Sequence, residues 1–360
     1  MKKTDKLILT LDAGGTNLVF SAVEDGIILK ETFHLPSGSQ SLEEFLKKIT
    51  LGFSSLQKKL NRTAAALSFC FPGPADYEAG IIGDLENLSF FRGGVPLARM
   101  LENEFRIPVF INNDGDLFAL GEALAGLLPE INLQAEKNFN NLLGVTLGTG
   151  FGGGIVNNGH LYRGDNSAGA EINRMSNYLF RNESVEEALS IRGIRHLFAQ
   201  QAGLSFEESP SPFTISQIGL GKLSGNKEAA LNAWKIFGEV LGDALANTVS
   251  LTDSCTVIGG GLSGAHPLFL QAAVDQMNSS FLKKDKSRVA RMELNAYNWE
   301  NPADKTTFLK DDSVSVKIPF SNEMQTYHPI KKVAIGISRL GTSGAVAIGA
   351  YAYAIEKLGE

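Results

Sequence analysis

One pattern occurs twice in this chain and constrains its fold more than any other feature. It is an apolar strand that ends in a glycine-rich turn and continues into a hairpin. In the first copy the strand covers residues 6–12 and the hairpin turns at Asp25-Gly26. In the second copy the strand covers 141–147 and the hairpin turns at Asn157-Asn158-Gly159. Because helical and strand patterns alternate after each copy, the recurrence predicts two α/β halves of similar plan that face a cleft.

The composition fits an enzyme with several glycine-rich loops whose backbone is not covered by side chains. Glycine accounts for 38 of 360 residues without a collagen-like period, so loops that need bare backbone are the expected reason. Hydrophobic residues make up 43% of the chain, which argues against disorder. The net charge of -6 gives no general attraction to nucleic acid or to anionic lipid.

The cysteines and the apolar stretches bear on the cellular compartment. The two cysteines, Cys70 and Cys255, are far apart in apolar runs, which excludes a disulfide scaffold and a cysteine-based zinc site. The N-terminus has too short an apolar stretch for a signal peptide, and the longest uncharged segment, 142–162, is too rich in Gly, Asn and Thr to span a bilayer. We therefore expect a cytoplasmic protein that binds neither nucleic acid nor membrane.

The first glycine turn has the sequence Asp12-Ala13-Gly14-Gly15-Thr16-Asn17. An Asp that closes a strand offers a carboxylate to hydrated Mg²⁺, and the bare backbone after it offers N–H groups to phosphate oxygens. The alternative is a plain hairpin in which the glycines supply positive φ and the Asp caps its own turn. The turn alone does not decide between the two interpretations.

The second and third glycine turns are Gly148–Gly154 and Gly259-Gly260-Gly261. The second satisfies G-x-G-x-x-G with Glu171 near the expected acidic position, but it runs into a strand, whereas a dinucleotide fingerprint opens a helix. A phosphate cradle with Thr149 as an added hydroxyl donor fits better. The third turn follows an apolar strand and precedes a helix, so a base or ribose could approach its backbone. The chain has no P-loop motif.

An acidic turn, Asn112-Asn113-Asp114-Gly115-Asp116, joins a strand to a helix. Asp114 could act as a general base at the carboxyl end of a strand, or it could cap the helix, and the two roles are compatible. Asp116 is the competing candidate, but acids are common in a first helical turn for dipole reasons alone. We favour Asp114.

The remaining elements follow from periodicity and from capping signals. Ser41 as N-cap and Glu44 as its partner predict the start of the first helix. The segment 283–327 is polar and charged, and we interpret it as an irregular insertion. The predicted helices are 41–61, 95–105, 116–128 and 229–249, and the predicted strands are 64–71, 109–112 and 255–258.

Together these segments resemble the ROK family of sugar kinases and sugar-responsive repressors. The matching motifs, in the family's order, are DAGGTN, FPGPAD, DLENL, INNDGDLFALGEALAG, GVTLGTGFGGGIVNNG, SAGAEINRM, VIGGGLS and SGAVAIGA. The resemblance implies an α/β chain with the actin-like ATPase fold, two RNase H-like α/β domains around a cleft that holds ATP and Mg²⁺. For this chain we expect a small N-terminal domain, 1–118 plus 345–360, and a larger C-terminal domain, 119–344, with an insertion near 283–327.

The resemblance also implies roles for individual residues. Asp114 would be the general base that takes the proton from a sugar hydroxyl, and Asp12 would hold Mg²⁺ through a water molecule. The residues that would bind the sugar are Asn87, Asn113, Asp114, Glu171 and Arg174. The residues that would bind ATP are Asp12, Gly14, Gly15, Thr16, Asn17, Gly148, Thr149, Gly150, Gly152, Gly259, Gly260 and Gly261.

The chain departs from the family pattern around Glu171. The family's glutamate-isoleucine-glycine-histidine reads here Glu171-Ile172-Asn173-Arg174, and 176–187 contains neither the usual cysteines nor a histidine. In relatives that histidine ligates a structural zinc, so we predict no zinc site here. Arg174 cannot replace a neutral imidazole; it could pair with Glu171 or recognise an anionic or carbonyl-bearing substituent. Asp116 also replaces an asparagine that is usual in the family, so the resemblance does not identify the sugar.

The leading hypothesis is an ATP-dependent kinase of a hexose or N-acetylhexosamine, expected to be a homodimer as family members commonly are. The alternative is a sugar- or nucleotide-binding regulatory protein of the same family without catalysis. Family repressors carry a helix-turn-helix ahead of the kinase-like body, and we expect none here because the first strand begins near Lys6. A hydrolase or transferase acting on something other than sugar is a third possibility, but the polar set around Asp114 favours a polyol.

Overall fold

The computed structural model describes residues 4–13 and 17–359. Within these residues the chain forms an α/β structure that alternates strands and helices. The strands are β1 (Leu7–Ala13), β2 (Asn17–Glu24), β3 (Ile27–Ile28), β4 (Phe33–Pro36), β5 (Ala66–Cys70), β6 (Ala75–Asp76), β7 (Ile81–Ile82), β8 (Val109–Asn112), β9 (Leu142–Leu147), β10 (Phe151–Asn157), β11 (His160–Tyr162), β12 (Cys255–Gly259), β13 (Ser280–Leu282), β14 (Arg288–Ala290), β15 (Asn295–Asn298), β16 (Val314–Lys317), β17 (Met324–Tyr327) and β18 (Lys332–Ile337).

The α-helices lie between these strands, and short 3₁₀ turns cover Ile172–Arg174, Val185–Glu187 and Ser263–Ala265. The helices are α1 (Leu42–Leu60), α2 (Leu97–Phe105), α3 (Asp114–Ala125), α4 (Leu127–Ala135), α5 (Ile191–Ala202), α6 (Pro212–Gly219), α7 (Lys227–Thr252), α8 (His266–Met277), α9 (Pro302–Leu309) and α10 (Thr342–Lys357).

The chain divides into two compact units. The first consists of 1–129, 153–170 and 338–360, and the second of 130–152 and 171–337. Each unit is built from more than one segment, so the chain passes between them several times. The domain boundaries predicted at 118 and 345 stay a prediction.

The first unit contains a sheet in the order β3-β2-β1-β5-β8, with β4 paired to β2. Strands β1, β5 and β8 run parallel, and Cys70 at the end of β5 lies opposite Asn112 at the end of β8. Their carboxyl ends therefore form one edge of the sheet, which we call the carboxyl edge. Loops at such an edge are where α/β proteins place their ligand-binding side chains.

Aromatic side chains fill the space between this sheet and α1. Fully buried phenylalanines pack edge-on and tilted against one another, which gives the sheet a stiff apolar support. They are Phe20, Phe45, Phe53, Phe69, Phe71 and Phe91.

Helices α3 and α10 of the first unit pack at very close range. A Cβ at Gly121 would lie 2.0 Å from the carbonyl oxygen of Ala345, and a Cβ at Gly349 would lie 1.9 Å from that of Leu117. Glycine at both positions therefore lets the two backbones touch. The fully buried carboxylate of Glu122 accepts backbone N–H groups from three residues, Leu127, Arg339 and Leu340, and so fixes the segment that enters α10.

The second unit contains parallel strands in the order β9-β12-β18-β15. Strand β12 is buried along its whole length. The long helix α7 packs against α8 and α5 beside it, with Trp234 and Phe237 fully buried. The long apolar run of β12 is typical of a strand that is covered on both faces.

Most of the predicted elements are confirmed with shifts of one or two residues. Ser41 caps α1 by accepting from the Glu44 N–H, while the Glu44 carboxylate accepts from the N–H of Gln40. The hairpin turns at Asp25-Gly26 and Asn158-Gly159 have the positive φ angles that such turns require. The helix predicted to start at 116 begins instead at Asp114 and is divided at Gly126 into α3 and α4.

The interpretation of 283–327 as an irregular insertion is wrong for its middle part. Strand β15 pairs in parallel with β18 in the main sheet of the second unit, and Trp299, which follows β15, is fully buried. The sequence NAYNWE is too short and too polar to signal a buried strand, because tertiary pairing rather than local pattern determines it. The flanking strands β13, β14, β16 and β17 form separate two-stranded ribbons.

No helix in the described ranges, 4–13 and 17–359, combines the length and the apolar character needed to cross a bilayer.

Candidate functional site

The carboxyl edge of the first unit gathers the ionisable side chains that the sequence singled out. Asp12 lies near the end of β1, Cys70 ends β5, and Asp114 follows β8 after one residue, Asn113. Because β1, β5 and β8 are neighbours in the sheet, these groups come from adjacent strands. The structure therefore brings Asp12 and Asp114 to the same edge.

Hydrogen bonds between side chains of the Asp114 turn and its own backbone hold the turn in place. Asn113, not Asp114, is the N-cap of α3: its Oδ1 accepts from the Gly115 N–H at 2.8 Å. The same N–H lies 3.0 Å from Oδ1 of Asp114, the first residue of the helix. The capping alternative for Asp114 is thus wrong, because the residue before it performs that role and leaves the Asp114 carboxylate as a separate acceptor. Asp116, also in the first turn of the helix, is buried.

The Asp114 side chain has contact with solvent, yet many protein atoms surround it. This partial desolvation raises the pKa of Asp114 above that of an ordinary aspartate, the N–H donors of the turn lower it, and the Asp12 carboxylate raises it. A carboxylate with a raised pKa accepts a proton more readily than an ordinary one, which is the property of a general base. Burial likewise raises the pKa of the Cys70 thiol, with smaller contributions from Asp114 and Asp12, so Cys70 is a poor nucleophile.

A serine of α10 orients Asp12. The Oγ of Ser343, in the first turn of α10, donates to Oδ2 of Asp12 at 2.9 Å. Asp12 itself is exposed. Sequence reasoning noted the SGAVAIGA motif but gave Ser343 no role, because a contact between residues 331 positions apart leaves no local signal.

Part of the second glycine run serves packing. Gly148–Gly150 form the turn, but Gly152, Gly153 and Gly154 lie in β10. In the first unit, a Cβ at Gly154 would lie 2.3 Å from the carbonyl oxygen of Gly115, and a Cβ at Gly115 would lie 2.4 Å from that of Gly153. These glycines let β10 pass directly against the Asp114 turn. The prediction of one turn over 148–154 is therefore too long.

In the second unit, the shortened turn is held from outside by Glu186. Its Oε2 accepts from the Phe151 N–H at 2.9 Å, and a Cβ at Gly150 would lie 2.8 Å from the same oxygen. The N–H of Ile191 also donates to the Gly148 carbonyl at 2.8 Å. Sequence reasoning missed Glu186, since it lies 35 positions from its partner. At Gly148 a Cβ would meet no atom of the described residues within 4 Å, so in that part of the chain the backbone there is left uncovered.

In the third turn, Gly260 and Gly261 differ in how closely other atoms pack against them. Gly260 has φ +86°, and a Cβ there would lie 2.2 Å from the carbonyl oxygen of Leu147. At Gly261 a Cβ would have no atom within 4 Å among the residues 4–13 and 17–359. The N–H of Leu262 donates to the same Leu147 carbonyl at 3.0 Å. Gly260 is therefore fixed by packing, whereas Gly261 leaves its backbone approachable.

The remaining predicted site residues lie on exposed segments. Asn87 is exposed in the first unit, and Thr149, Glu171 and Arg174 are exposed in the second. No ion pair joins Arg174 to Glu171 in the described part of the chain; only the backbone N–H of Arg174 donates to the Glu171 carbonyl, at 3.1 Å. Asn17 begins β2. The predicted phosphate-loop residues Gly14, Gly15 and Thr16 lie outside the described residues.

Among the residues that the structure describes, no three His, Cys, Asp or Glu side chains are grouped as metal ligands. Asp12 is a single exposed carboxylate at the end of a strand. One carboxylate is a suitable partner for hydrated Mg²⁺, which keeps several waters and often contacts one or two protein oxygens. The prediction that zinc is absent stays a prediction.

Comparison with known proteins places this arrangement in context. The model of the ROK family matches residues 8–303. A xylose repressor from Bacillus spizizenii is 25% identical over 264 residues, which cover 72% of this chain and 65% of the repressor. A glucokinase from Halalkalibacterium halodurans is 25% identical over 292 residues, which cover 74% of this chain and 84% of that enzyme.

A solved structure resembles the chain over nearly its whole length. The crystal structure of a glucokinase from Parabacteroides distasonis ATCC 8503 has 42% sequence identity and a TM-score of 0.89, with 98% of each chain covered. The chain thus spans slightly less than two thirds of the xylose repressor and almost all of this glucokinase.

Proposed function

Because this chain belongs to the ROK family, we propose that it is an ATP-dependent sugar kinase that phosphorylates a hydroxyl of a hexose or N-acetylhexosamine. The chain has the actin-like ATPase fold. Two of the proteins it resembles are named glucokinase, one of them at 42% identity. These similarities support phosphoryl transfer to a sugar rather than another reaction on the same fold.

The observation that carries the proposal is the Asp114 carboxylate at the carboxyl edge. It follows a buried strand, has a raised pKa, and shares its edge with Asp12. A general base for a sugar hydroxyl must be reachable by the substrate and must bind a proton readily. Asp114 meets both requirements, since it is solvent-accessible and partly desolvated.

Residues of both units fit the nucleotide. In the second unit, the open backbone at Gly148 and Gly261 suits phosphate oxygens and the adenosine, respectively, and Thr149 is an exposed hydroxyl beside the first. In the first unit, Asp12 suits a water shell around Mg²⁺. When bound, Mg·ATP supplies the γ-phosphoryl group and neutralises the charge on it.

The chain's own residues form no covalent bond to the substrate in the proposed reaction; they transfer a proton and position the groups that react. Asp114 takes the proton of the sugar hydroxyl. The hydroxyl oxygen then bonds to the γ-phosphorus as the bond between the γ-phosphorus and the oxygen that stays with ADP breaks. A positioned base of this kind contributes about 10²–10⁴-fold to the rate. Asn113 holds the turn in place through Gly115 and is proposed to bind sugar hydroxyls, as are Glu171 and Asn87.

Arg174 is proposed to contribute to the choice of sugar. Its side chain is exposed, and in the described ranges no ion pair joins it to Glu171, so a ligand can reach the guanidinium. A planar set of donors suits a carboxylate, phosphate or carbonyl group. This favours an acceptor that carries such a substituent, with the N-acetyl group as the simplest example.

A coupled ADP-release assay with Mg·ATP over a panel of hexoses, hexosamines and N-acetylhexosamines tests the proposal. We expect turnover with at least one sugar, a loss of about 10²–10⁴-fold in kcat for Asp114→Asn, and nucleotide affinity within twofold of wild type by calorimetry. Asp5→Asn, an exposed aspartate before β1, is the control and should retain wild-type kcat. An Asp114→Asn enzyme with a third of the wild-type rate would refute the base assignment.

A second candidate is a regulatory protein that binds sugar or nucleotide without catalysis. The similarity to a xylose repressor and the unusual Arg174 favour it. Sugar binding detected by calorimetry, with no turnover for any sugar of the panel, would support this candidate over the kinase.

We further propose that the protein acts as a cytoplasmic homodimer. Light scattering coupled to size-exclusion chromatography tests the oligomeric state, for which we expect twice the chain mass of 38.7 kDa. A mass of one chain at micromolar concentration would contradict it.

A further inference from the structure

We propose that Arg163 is a positioning residue for the reaction proposed above, because it holds the end of β8, and with it the Asp114 turn, against α10 and the loop that follows β11. Arg163 follows β11 directly and its side chain is only 11% exposed. Nothing in the local sequence LYRGD marks it as functional. The inference rests on the proposed kinase activity.

The guanidinium of Arg163 joins three segments of the first unit. Nη1 donates to Oδ1 of Asn112 at 3.1 Å, and Nη2 donates to Oε2 of Glu78 at 2.8 Å and to the hydroxyl of Tyr353 at 2.7 Å. The guanidinium also lies 5.2 Å from the centre of the Tyr353 ring. A planar group with several donors in fixed directions can hold three partners at once, which an ammonium group cannot.

The contact with Asn112 connects Arg163 to the proposed base. Asn112 is fully buried at the end of β8, and the next two residues are Asn113 and Asp114. Because a guanidinium only donates, it fixes the amide with its oxygen toward Arg163. Within residues 4–13 and 17–359, the amide nitrogen, Nδ2, is buried without a hydrogen-bond partner, so no second hydrogen bond of the amide fixes its orientation. Arg163 is therefore what determines how the Asn112 side chain is held.

The backbone of Arg163 closes the loop that follows it. Its carbonyl accepts from the Gly169 N–H at 2.8 Å, and a Cβ at Gly169 would lie 2.9 Å from that carbonyl. The closed loop, 164–169, precedes Glu171 in the chain by two residues. One residue thus fixes both the strand end before Asp114 and the loop before a predicted sugar ligand.

Tyr353 gives this arrangement a rigid support. It is buried in α10, and its ring packs edge-on against Phe110 of β8 at 6.0 Å between centroids. Phe110 and Asn112 share one face of β8, since side chains two apart in a strand point the same way. Arg163 and Tyr353 therefore support the same face of the strand that ends at the Asp114 turn.

Arg163→Gln removes the charge and the fork of donors. Since an error of about 1 Å in a reacting group can cost about 10²-fold in rate, we expect kcat to fall about 10- to 100-fold. The KM for ATP should stay within twofold, because the side-chain hydrogen bonds of Arg163 described above go to Asn112, Glu78 and Tyr353, which are not predicted nucleotide ligands. Arg163→Lys should recover part of kcat. Because partial unfolding would also lower the apparent kcat at an unchanged KM, kcat is expressed per folded molecule, counted from the stoichiometry of nucleotide binding in calorimetry.

Two controls isolate the pathway through Asn112. Arg62→Gln breaks another Arg–Glu pair of the same unit, with Glu24 at the far end of β2, and should leave kcat unchanged. In an Asn112→Ala background, Arg163→Gln should lower kcat less than threefold further, because the residue through which it acts is gone. An undiminished effect in that background, or an equal loss from Arg62→Gln, would overturn the inference.

Hydrogen exchange separates this inference from the proposed function. Amides of 109–115 should exchange at least fivefold faster in Arg163→Gln than in wild type, and those of α7 should not change. If wild type phosphorylates no sugar of the panel, the kinase proposal fails, and this exchange comparison alone decides whether Arg163 fixes the turn. Equal exchange rates in both proteins would refute the positioning role.

Discussion

The carboxyl edge of the first unit and the glycine turns of the second unit are built by opposite means. At the carboxyl edge, the proposed chemistry depends on ionisable side chains, and other side chains hold them: Ser343 orients Asp12, and Asn113 caps the helix that begins with Asp114. In the second unit, the proposed functional element is backbone, and its conformation is fixed by Glu186 and by the packing of Gly260.

The difference separates two kinds of requirement on the sequence. A general base needs a particular side chain with an altered pKa, so the first unit tolerates little change at Asp114. A phosphate or adenosine cradle needs bare, correctly shaped backbone, so the second unit depends on glycines and on the residues that hold them. Substitution of the proposed base should therefore change kcat, and substitutions of the glycine turns or of the residues that hold them should change folding or nucleotide affinity.

The largest effect is expected at Gly260, and its neighbour is a matched control. Gly260→Ala forces a Cβ to 2.2 Å from the Leu147 carbonyl oxygen at φ +86°, and we expect a loss of about 3 kcal/mol in the free energy of unfolding. Gly261→Ala meets no atom within 4 Å and should cost less than about 0.5 kcal/mol. Urea denaturation of both variants measures the difference; equal losses would contradict the assignment of Gly260 to packing.

Glu186 gives the next largest effect, this time on binding. Glu186→Ala leaves the Phe151 N–H without its acceptor, which is worth about 1–3 kcal/mol when the group is buried. We expect the KM for ATP to rise about tenfold while kcat stays within threefold. Glu187→Ala, which removes only an exposed pair with Arg192, is the control and should leave both unchanged. A fall in kcat without a change in KM would remove the distinction between the two regions.

The elements of the fold that could be predicted are those with a local signal. The strand over 109–112, the cap at Ser41 and both hairpin turns follow from apolar runs and turn residues, and the structure has them. Strand β15 could not be predicted, because only its pairing with β18 makes a polar tetrapeptide a strand. A local sequence pattern depends on residues that are neighbours in the chain, whereas strand pairing joins residues that are far apart in it.

The candidate site divides in the same way. Asp12, Asp114 and the glycine turns could be found because each is a short motif at the end of a predicted strand. The residues that hold them could not: Ser343, Glu186 and the buried Glu122 act across long separations in the chain. The turn interpreted as a phosphate cradle, 148–154, includes Gly153 and Gly154, which pack against Gly115, because a glycine's sequence context does not reveal which neighbour needs the space.

A smaller effect is expected at Ser343, whose hydroxyl is one hydrogen bond to Asp12. Ser343→Ala removes that bond, worth about 1 kcal/mol, so we expect the Mg²⁺ concentration for half-maximal nucleotide binding to rise about fivefold. Calorimetric titration of nucleotide at several Mg²⁺ concentrations measures this without turnover. Ser338→Ala, which removes a bond to the buried Glu122 instead, should lower the Tm and leave the Mg²⁺ dependence unchanged. A Mg²⁺ shift in both variants would mean that Ser343 acts only through the stability of α10.

The smallest effect separates the function of Asp114 from its effect on stability. Its pKa is raised in the folded protein, so the ionised carboxylate is less favourable there than in the unfolded chain. The stability that protonation gives is complete below the ordinary pKa of 3.8 and is lost as pH rises through the raised value. Asp114→Asn, which removes most turnover, should therefore raise the Tm at pH 7.5 by about 2 °C, and this gain should vanish near pH 4. Thermal denaturation of both proteins over this pH range measures it. A lower Tm for Asp114→Asn than for wild type at pH 7.5 would mean that the ionised Asp114 carboxylate stabilises the folded protein, which contradicts this prediction.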